Sequence, residues 1–188
     1  MPANTKRALL IVDIQNDYFP GGRMELEGTE AASLRAAELI AAFRDHRLPV
    51  LFMQHVSVRP NATFFLPDTE GVRIHTSVAP AASETVLQKH FPNSFRDTAL
   101  LDHLRKADIQ ELVIAGMMTH MCIDATTRAA ADLGLRCFLA HDACATRALS
   151  FGDTRVPAEH VQCSFVSALS GAYATVQPAK ELAGALAG

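Results

Sequence analysis

Short apolar runs alternate along the chain with segments of helical periodicity. Four runs of five or six mostly apolar residues lack the strict polar alternation of a half-exposed strand, which is typical of parallel strands covered on both faces. These runs are residues 8–12, 48–53, 111–115 and 135–140. Two weaker strand candidates are residues 85–89 and 173–176.

The segments between these runs carry apolar residues at helical spacing. Gly134 follows one such segment and Pro157 opens the next, as is usual for helix ends and starts. Alternating strands and helices predict an α/β fold, a three-layer α/β/α sandwich with a mostly parallel six-stranded sheet. Without repeats or low-complexity linkers, we expect one domain over residues 1–188. The predicted helices are 30–46, 97–106, 124–133, 157–169 and 181–186.

Composition and charge narrow the class of partner. Of the 188 residues, 49% are hydrophobic, 20% are charged, and the formal net charge is only -3, so neither nucleic acid nor a membrane is an expected partner. No signal-peptide pattern is recognisable at the start, which predicts a cytoplasmic protein. The four cysteines form no C-x-x-C pair, which argues against a zinc ribbon.

Polar residues follow several of the predicted strands. In open α/β sheets, ligands bind outside the carboxyl ends of the strands. Asp13, His55, Lys89 and Cys122 occupy such positions, so we expect an acid, a lysine and a thiol to meet at one rim of the sheet. A base activates a thiol, and an ammonium group or a helix N-terminus favours the thiolate. This combination predicts nucleophilic catalysis by Cys122.

Three segments in this order and spacing resemble the isochorismatase-like cysteine hydrolases, which include nicotinamidases, carbamoylsarcosine-type amidohydrolases and isochorismatases. They are LLIVDIQNDYFPGG at 9–22, QKHFPNSF at 88–95 and AGMMTHMCIDATTRAAADLG at 115–134. The resemblance implies a catalytic triad of Asp13, Lys89 and Cys122. It also implies a cis peptide bond between Met117 and Met118, and an oxyanion hole formed by the N–H groups of Met118 and Cys122.

The implied function is a metal-independent cysteine hydrolase that cleaves a small non-peptide C–N bond in an amide, lactam or carbamoyl compound. Asp13 would act as general base, Lys89 as its electrostatic partner, and Cys122 would form the thioester. Family members that bind a metal use an Asp-x-His pair that aligns here with His55 and Ser57, and a later histidine that aligns with His75. With two of these groups changed, neither a metal nor a cofactor is expected.

Two alternatives remain open at this point. One is ether cleavage of the isochorismatase type, although the resemblance implies that the cysteine is replaced in that branch. The other is a thiol redox or sensor protein on the same fold, without catalysis.

The substrate pocket and the oligomeric state are less well defined by the sequence. The long irregular segments 18–28 and 57–83 are candidate lids or contacts between subunits, since long loops in compact domains are often functional. The resemblance implies a homodimer or homotetramer, with Phe64 and Phe65 as a candidate contact. A small-molecule substrate would contact pocket candidates that are mostly aromatic: Phe19, His55, Phe64, Phe91, Phe95 and His120.

Overall fold

Six parallel strands form the centre of the computed structural model, which describes residues 6–186. The ends of the expected 1–188 domain therefore lie outside the described residues. Across the sheet the order is β3-β2-β1-β4-β5-β8. The strands are β1 (Arg7–Val12), β2 (Val50–His55), β3 (Thr85–Lys89), β4 (Glu111–Met117), β5 (Arg136–Ala145) and β8 (Ala174–Gln177). A separate antiparallel hairpin comprises β6 (Leu149–Phe151) and β7 (Thr154–Val156).

Helices cover both faces of the sheet, which confirms the three-layer α/β/α prediction. They are α1 (Thr29–Asp45), α2 (Leu100–Lys106), α3 (Asp124–Asp132), α4 (Ala158–Leu169) and α5 (Ala179–Gly184). Successive side chains of a strand point to opposite faces. Accordingly, Leu9 and Ile11 of β1 join the core beneath α1 and α5. Leu10 and Val12 join a second core, formed with α2, α3 and α4.

The strand order brings the candidate residues to one rim. After β1 the chain builds outward through β2 to β3, and then returns to place β4 on the other side of β1. The carboxyl ends of β1 and β4 thus flank the point where the strand order reverses, the usual ligand crevice of such sheets. Asp13 directly follows β1, and the segment leading to Cys122 directly follows β4. Lys89 ends β3, in register with His55 of β2.

Two features differ from the sequence prediction. Strand β5 runs to Ala145 rather than ending at residue 140, and its register with β4 shifts between Ile114 and Gly116. The β6–β7 hairpin was not predicted, because each of its strands has only three residues. Its two-residue turn, with Gly152 at a φ of 56°, is the sequence signal that marks it.

The helices were compared with the length and hydropathy of membrane-spanning segments. Within residues 6–186, none of them has both the length and the apolar character needed to cross a bilayer.

Candidate active site

Asp13 is a buried carboxylate at the end of β1. Its side chain is 0% exposed, and its backbone lies in the left-handed region at a φ of 52°. The backbone N–H donates to the Met53 carbonyl at 3.1 Å, which holds the residue against β2. Within the described part of the chain Oδ1 accepts from no N–H or O–H group, whereas Oδ2 lies 2.7 Å from the Lys89 Nζ. The carboxylate is therefore held in place but keeps its capacity to accept a proton.

Lys89 supplies the positive charge beside Asp13. Its Nζ lies 2.7 Å from the Asp13 Oδ2, and the side chain is 0% exposed. The same Nζ donates to the carbonyls of Phe91 at 3.0 Å and Pro92 at 3.3 Å, and lies 3.3 Å from the His55 Nδ1. Burial lowers the pKa of Lys89, but the charge of Asp13 and the hydrogen bonds to Asp13 and Cys122 together more than offset this, and the net pKa is raised. The lysine is therefore a permanent cation.

His55 is a neutral neighbour of this ion pair. Burial, aided by the nearby positive charge of Lys89, lowers its pKa to about 4, although Asp13 acts in the opposite direction. An ammonium group can only donate, so the His55 Nδ1 accepts from Lys89 and the ring proton lies on Nε2. His55 therefore presents one donor and no charge at neutral pH.

Cys122 lies in a π-helical turn, Thr119–Ile123, between β4 and α3. The turn follows Gly116, whose φ of 139° and close approach to the Val12 carbonyl leave no space for a Cβ. The peptide bond between Met117 and Met118 is cis, at the position that the resemblance implies.

The backbone of this turn presents N–H groups near the thiol. The Met118 N–H makes no hydrogen bond to another described residue. The Met118 carbonyl accepts from the N–H groups of Met121 at 3.0 Å and Ile123 at 3.2 Å, and not from the intervening N–H of Cys122. The geometry is therefore compatible with the expected pair of oxyanion donors.

The thiol of Cys122 is 2% exposed and is protonated at rest. Its pKa is raised, first by burial and then by the Asp13 charge, against the opposing effect of Lys89. Lys89 lowers the pKa of Cys122, as expected, but burial outweighs this effect.

A cavity of about 300 Å³ opens above Cys122. His55 and Phe64 line it, as expected. Its other lining residues come largely from the 57–63 segment and from the turn around Cys122; they are Tyr18, Ser57, Arg59, Pro60, Asn61, Ala62, Thr63, His90, Pro92, Met118 and Met121.

Two expected aromatic pocket residues, Phe19 and Phe91, lie outside this cavity. Phe19 stacks on His75 at 3.6 Å between ring centroids, since the chain turns away after Tyr18. Phe91 lies beneath the guanidinium of Arg96 at 3.6 Å, which it contacts as a cation–π partner. Neither Phe19 nor Phe91 therefore lines the cavity above Cys122.

Phe95 and His120 also lie outside the cavity. Phe95 packs against the second apolar core, the one that contains α2 and α3. The His120 Nδ1 lies 2.5 Å from the Thr146 Oγ1, and its ring meets the edge of Phe165. Both side chains therefore have structural partners, and neither lines the cavity.

Asp17 organises the loop that covers the cavity. Its carboxylate accepts from the N–H of Phe65 at 2.6 Å and from the N–H of Arg23 at 3.2 Å. This fixes Phe65, which is 0% exposed and packs on Tyr18 at 4.6 Å between centroids. Phe65 is therefore a core residue. Its suggested role in subunit contact is wrong, because its side chain is buried and the buried Asp17 carboxylate holds its backbone N–H.

Sequence reasoning missed several residues that line the cavity. Tyr18 falls inside the first matching segment, next to Phe19, but the sequence does not reveal which of two adjacent aromatic residues faces the ligand. Arg59 and Asn61 lie in an irregular loop with no periodicity to orient them. The charge of Arg59 in a predicted lid was the available signal.

The site also contains side chains that could bind a metal. Asp13, His55 and Cys122 offer donor atoms within 4.8 Å of one another. The Lys89 ammonium contacts two of these groups, at 2.7 Å and 3.3 Å, so a permanent cation already balances the carboxylate. His75 lies elsewhere, stacked on Phe19. This donor set does not fit a divalent metal, because the ion would have to approach the ammonium.

Comparisons with known proteins agree with this architecture. The sequence profile described as "Isochorismatase domain" matches residues 7–157. The chain is 52% identical over 170 residues to YddQ of Bacillus subtilis, described as an uncharacterized isochorismatase family protein, covering 90% of this chain and 94% of YddQ. It is 35% identical over 140 residues to a streptothricin hydrolase of Streptomyces noursei, covering 74% of this chain and 50% of that enzyme.

A solved structure gives the same result in three dimensions. The crystal structure of a protein described as an isochorismatase hydrolase, from Oleispira antarctica, superposes with a TM-score of 0.93 at 51% identity. The match covers 98% of this chain and 99% of that one.

Proposed function

Because the chain belongs to the isochorismatase family of hydrolases, we propose that it cleaves a small non-peptide C–N bond through a thioester on Cys122. The bond belongs to an amide, a lactam or a carbamoyl compound. The observation that carries this proposal is the buried Asp13 carboxylate, whose Oδ2 pairs with Lys89 and whose Oδ1 has no N–H or O–H donor in the described chain, beside a protonated thiol. The name of one relative, streptothricin hydrolase, is consistent with hydrolysis of a small molecule.

The first half of the reaction transfers the acyl group to sulfur. Asp13 takes the Cys122 proton as the sulfur attacks the substrate carbonyl carbon, so that a C–S bond forms and the carbonyl oxygen becomes an oxyanion. The N–H groups of Met118 and Cys122 donate to this oxygen. As the C–N bond breaks, Asp13 returns the proton to the leaving nitrogen, and a thioester with a neutral amine results.

The second half regenerates the thiol. Asp13 takes a proton from water as the oxygen attacks the thioester carbonyl, and the C–S bond then breaks. Asp13 returns this proton to the departing sulfur, which gives a carboxylic acid or carbamic acid and the thiol of Cys122. Lys89 keeps Asp13 ionised between proton transfers and, through its donation to the Phe91 and Pro92 carbonyls, keeps the carboxylate in place. General-base catalysis of this kind contributes about 10²–10⁴-fold in rate.

A redox or sensor role is disfavoured by the environment of the thiol. Peroxide-sensing cysteines are exposed and have a lowered pKa, whereas Cys122 is 2% exposed and its pKa is raised. Ether cleavage is disfavoured by the thiol itself, which lies within 4.8 Å of the Asp13 carboxylate and gives it a nucleophile to activate.

The proposal is tested by trapping the intermediate. The protein is mixed with a panel of small primary amides, lactams and carbamoyl compounds, quenched in acid and digested, and the cysteine-containing peptides are weighed by mass spectrometry. We expect an acyl adduct on Cys122 and release of ammonia or amine. The exposed Cys163 provides the matched control: Cys163→Ala retains both signals and Cys122→Ala loses both.

Two results would contradict the proposal. One is the absence of adduct and turnover across the panel while peroxide readily oxidises Cys122, which would favour the sensor. The other is full hydrolytic activity in Cys122→Ala, which would favour ether cleavage or another mechanism without a thioester.

A further inference from the structure

The hydroxyl of Tyr18 has no partner in the described chain. The residue is 1% exposed, yet no hydrogen bond joins its hydroxyl to any residue of 6–186. Fully occluded side-chain oxygen and nitrogen atoms without partners occur in this part of the chain on Asp13, Thr127 and Arg147, and not on Tyr18. Since Tyr18 lines the cavity above Cys122, its hydroxyl is open to that cavity.

The ring of Tyr18 is rigidly held. Phe65 packs against it at 4.6 Å and Phe64 at 6.1 Å between centroids, and the buried Asp17 fixes the backbone of Phe65. Burial raises the pKa of Tyr18 well above its ordinary value, and the charge of Asp13 adds to this effect. The hydroxyl therefore remains a neutral donor. A buried tyrosine usually has a hydrogen-bond partner, and here a ligand in the cavity can supply it.

The charge of the cavity indicates what kind of acceptor it takes. Arg59, an exposed residue, lines the open side, and no Asp or Glu of the described chain lies among the lining residues to neutralise it. The ion pair of Asp13 and Lys89 beneath the cavity is neutral overall. A positive lining favours an anionic ligand group. The volume of about 300 Å³ is at the low end for ligand pockets, so the ligand is small.

We propose that Tyr18 is a specificity-determining residue whose hydroxyl donates a hydrogen bond to a carboxylate on the substrate, with Arg59 supplying the complementary charge. The substrate is then a small amide that carries a second, anionic group, such as the monoamide of a dicarboxylic acid. This inference deepens the proposed function and rests on it for the amide. It adds the group that distinguishes one amide from another.

The experiment compares two amides of similar length, succinamate and butyramide, which differ by a carboxylate in place of a methyl group. Binding is measured by calorimetry at pH 7 in the Cys122→Ala background, where no thioester can form. We expect succinamate to bind more tightly than butyramide. Tyr18→Phe removes only the hydroxyl, and we expect it to weaken succinamate binding by about 10–100-fold, the range for a hydrogen bond to a charged group. Butyramide binding stays within about twofold.

Two further variants serve as controls. Tyr173, the other tyrosine of the chain, lies beside the Arg128 guanidinium, and Tyr173→Phe leaves both affinities unchanged. Arg59→Gln weakens succinamate binding without affecting butyramide, and because Arg59 is exposed this variant does not disturb the fold.

Two outcomes would overturn the inference. In the first, the background protein does not prefer succinamate. In the second, Tyr18→Phe weakens both ligands equally or neither, in which case the tyrosine only fills space. Both can be distinguished from failure of the proposed function, because the binding assay needs no hydrolysis and the trapping of an acyl group on Cys122 needs no carboxylate.

Discussion

Two buried carboxylates lie at opposite ends of the same pair of strands. Glu111 opens β4 at the amino end of the sheet, in register with Arg7 of β1, and Asp13 follows β1 at the carboxyl end. The Arg7 guanidinium contacts the Glu111 Oε2 at 2.6 Å, and Arg136 contacts Oε1 at 2.6 Å. Both oxygens of Glu111 therefore have cationic partners, whereas within the described residues only the Oδ2 of Asp13 has one, Lys89, at 2.7 Å.

The difference separates a carboxylate that stabilises the fold from one kept available for chemistry. A buried charge is costly unless it is paired and hydrogen-bonded. Both oxygens of Glu111 meet these conditions, while for Asp13 only Oδ2 does, through Lys89. Asp13 also has a left-handed backbone at a φ of 52°. Such local costs persist where the surrounding structure holds them, and they cluster at functional sites.

The largest expected effect comes from breaking the carboxyl-end site. Asp13→Asn keeps the shape of the side chain but removes the base, so we expect kcat for the amide that acylates Cys122 to fall by about 10²–10⁴-fold. Steady-state hydrolysis measures this. Glu111→Gln is the matched control and retains kcat. An Asp13→Asn protein with undiminished kcat would show that another group takes the thiol proton.

The second-largest expected effect comes from changing the carboxylate at the amino end of the sheet, Glu111. Glu111→Gln leaves the guanidinium of Arg7, whose side chain is only 18% exposed, without a counter-charge. Removing one partner of a buried pair typically costs about 3–5 kcal/mol, and we expect the lower end because Arg136 is largely exposed. Urea unfolding measures the loss. A Glu111→Gln variant as stable as the wild type would contradict the structural role of this ion pair.

The third effect concerns pH and belongs to the carboxyl end alone. The pKa of His55 is about 4 in the folded chain and near 6.5 in the unfolded chain, so the unfolded state binds the proton first as pH falls. Its contribution to stability is therefore complete above pH 6.5 and is lost as pH falls toward 4, by roughly 2–3 kcal/mol. Urea midpoints at pH 7 and pH 4.5 measure it.

The control for this prediction is His55→Gln, which removes the titrating group and should reduce the dependence on pH. Other acidic groups titrate in both proteins and cancel in the comparison. Equal acid sensitivity in the two proteins would contradict the assignment of a neutral His55.

The sheet and the rim of candidate residues could be predicted from the sequence because both follow from local patterns. Apolar runs such as 8–12 and 111–115 define strands, and parallel strands align their carboxyl ends. That argument predicted that Asp13, Lys89 and Cys122 lie at one rim of the sheet, but it gave no distances between them. The large effect of burial on the pKa of Cys122 could not be predicted, because burial is a property of the packed site rather than of the neighbouring residues in sequence.

The lining of the cavity was predicted poorly for a related reason. Phe19 and Tyr18 are adjacent in sequence, but only Tyr18 faces Cys122, because the Asp17 carboxylate fixes the loop through the N–H of Phe65. Long-range contacts of a side chain with a loop backbone leave no periodic signal. Glu111 was assigned to a strand because apolar residues follow it in sequence. The two arginines that pair with it were not predicted, since only the sheet shows the register that aligns Arg7 with Glu111.

The smallest expected effect distinguishes the two arginines that pair with Glu111 at the amino end of the sheet. Arg136 contacts Glu111 at the same 2.6 Å as Arg7, but its side chain is 67% exposed, whereas that of Arg7 is 18% exposed. Water screens an exposed pair and the long side chain loses entropy in making it, so Arg136→Gln should cost less than about 1 kcal/mol in urea unfolding. Arg7→Gln should cost more, because Arg7 also lies over the Phe138 ring at 4.7 Å. If the two variants prove equally destabilising, distance rather than burial sets the strength of these pairs, and the contrast between Glu111 and Asp13 would need to be explained without solvent screening.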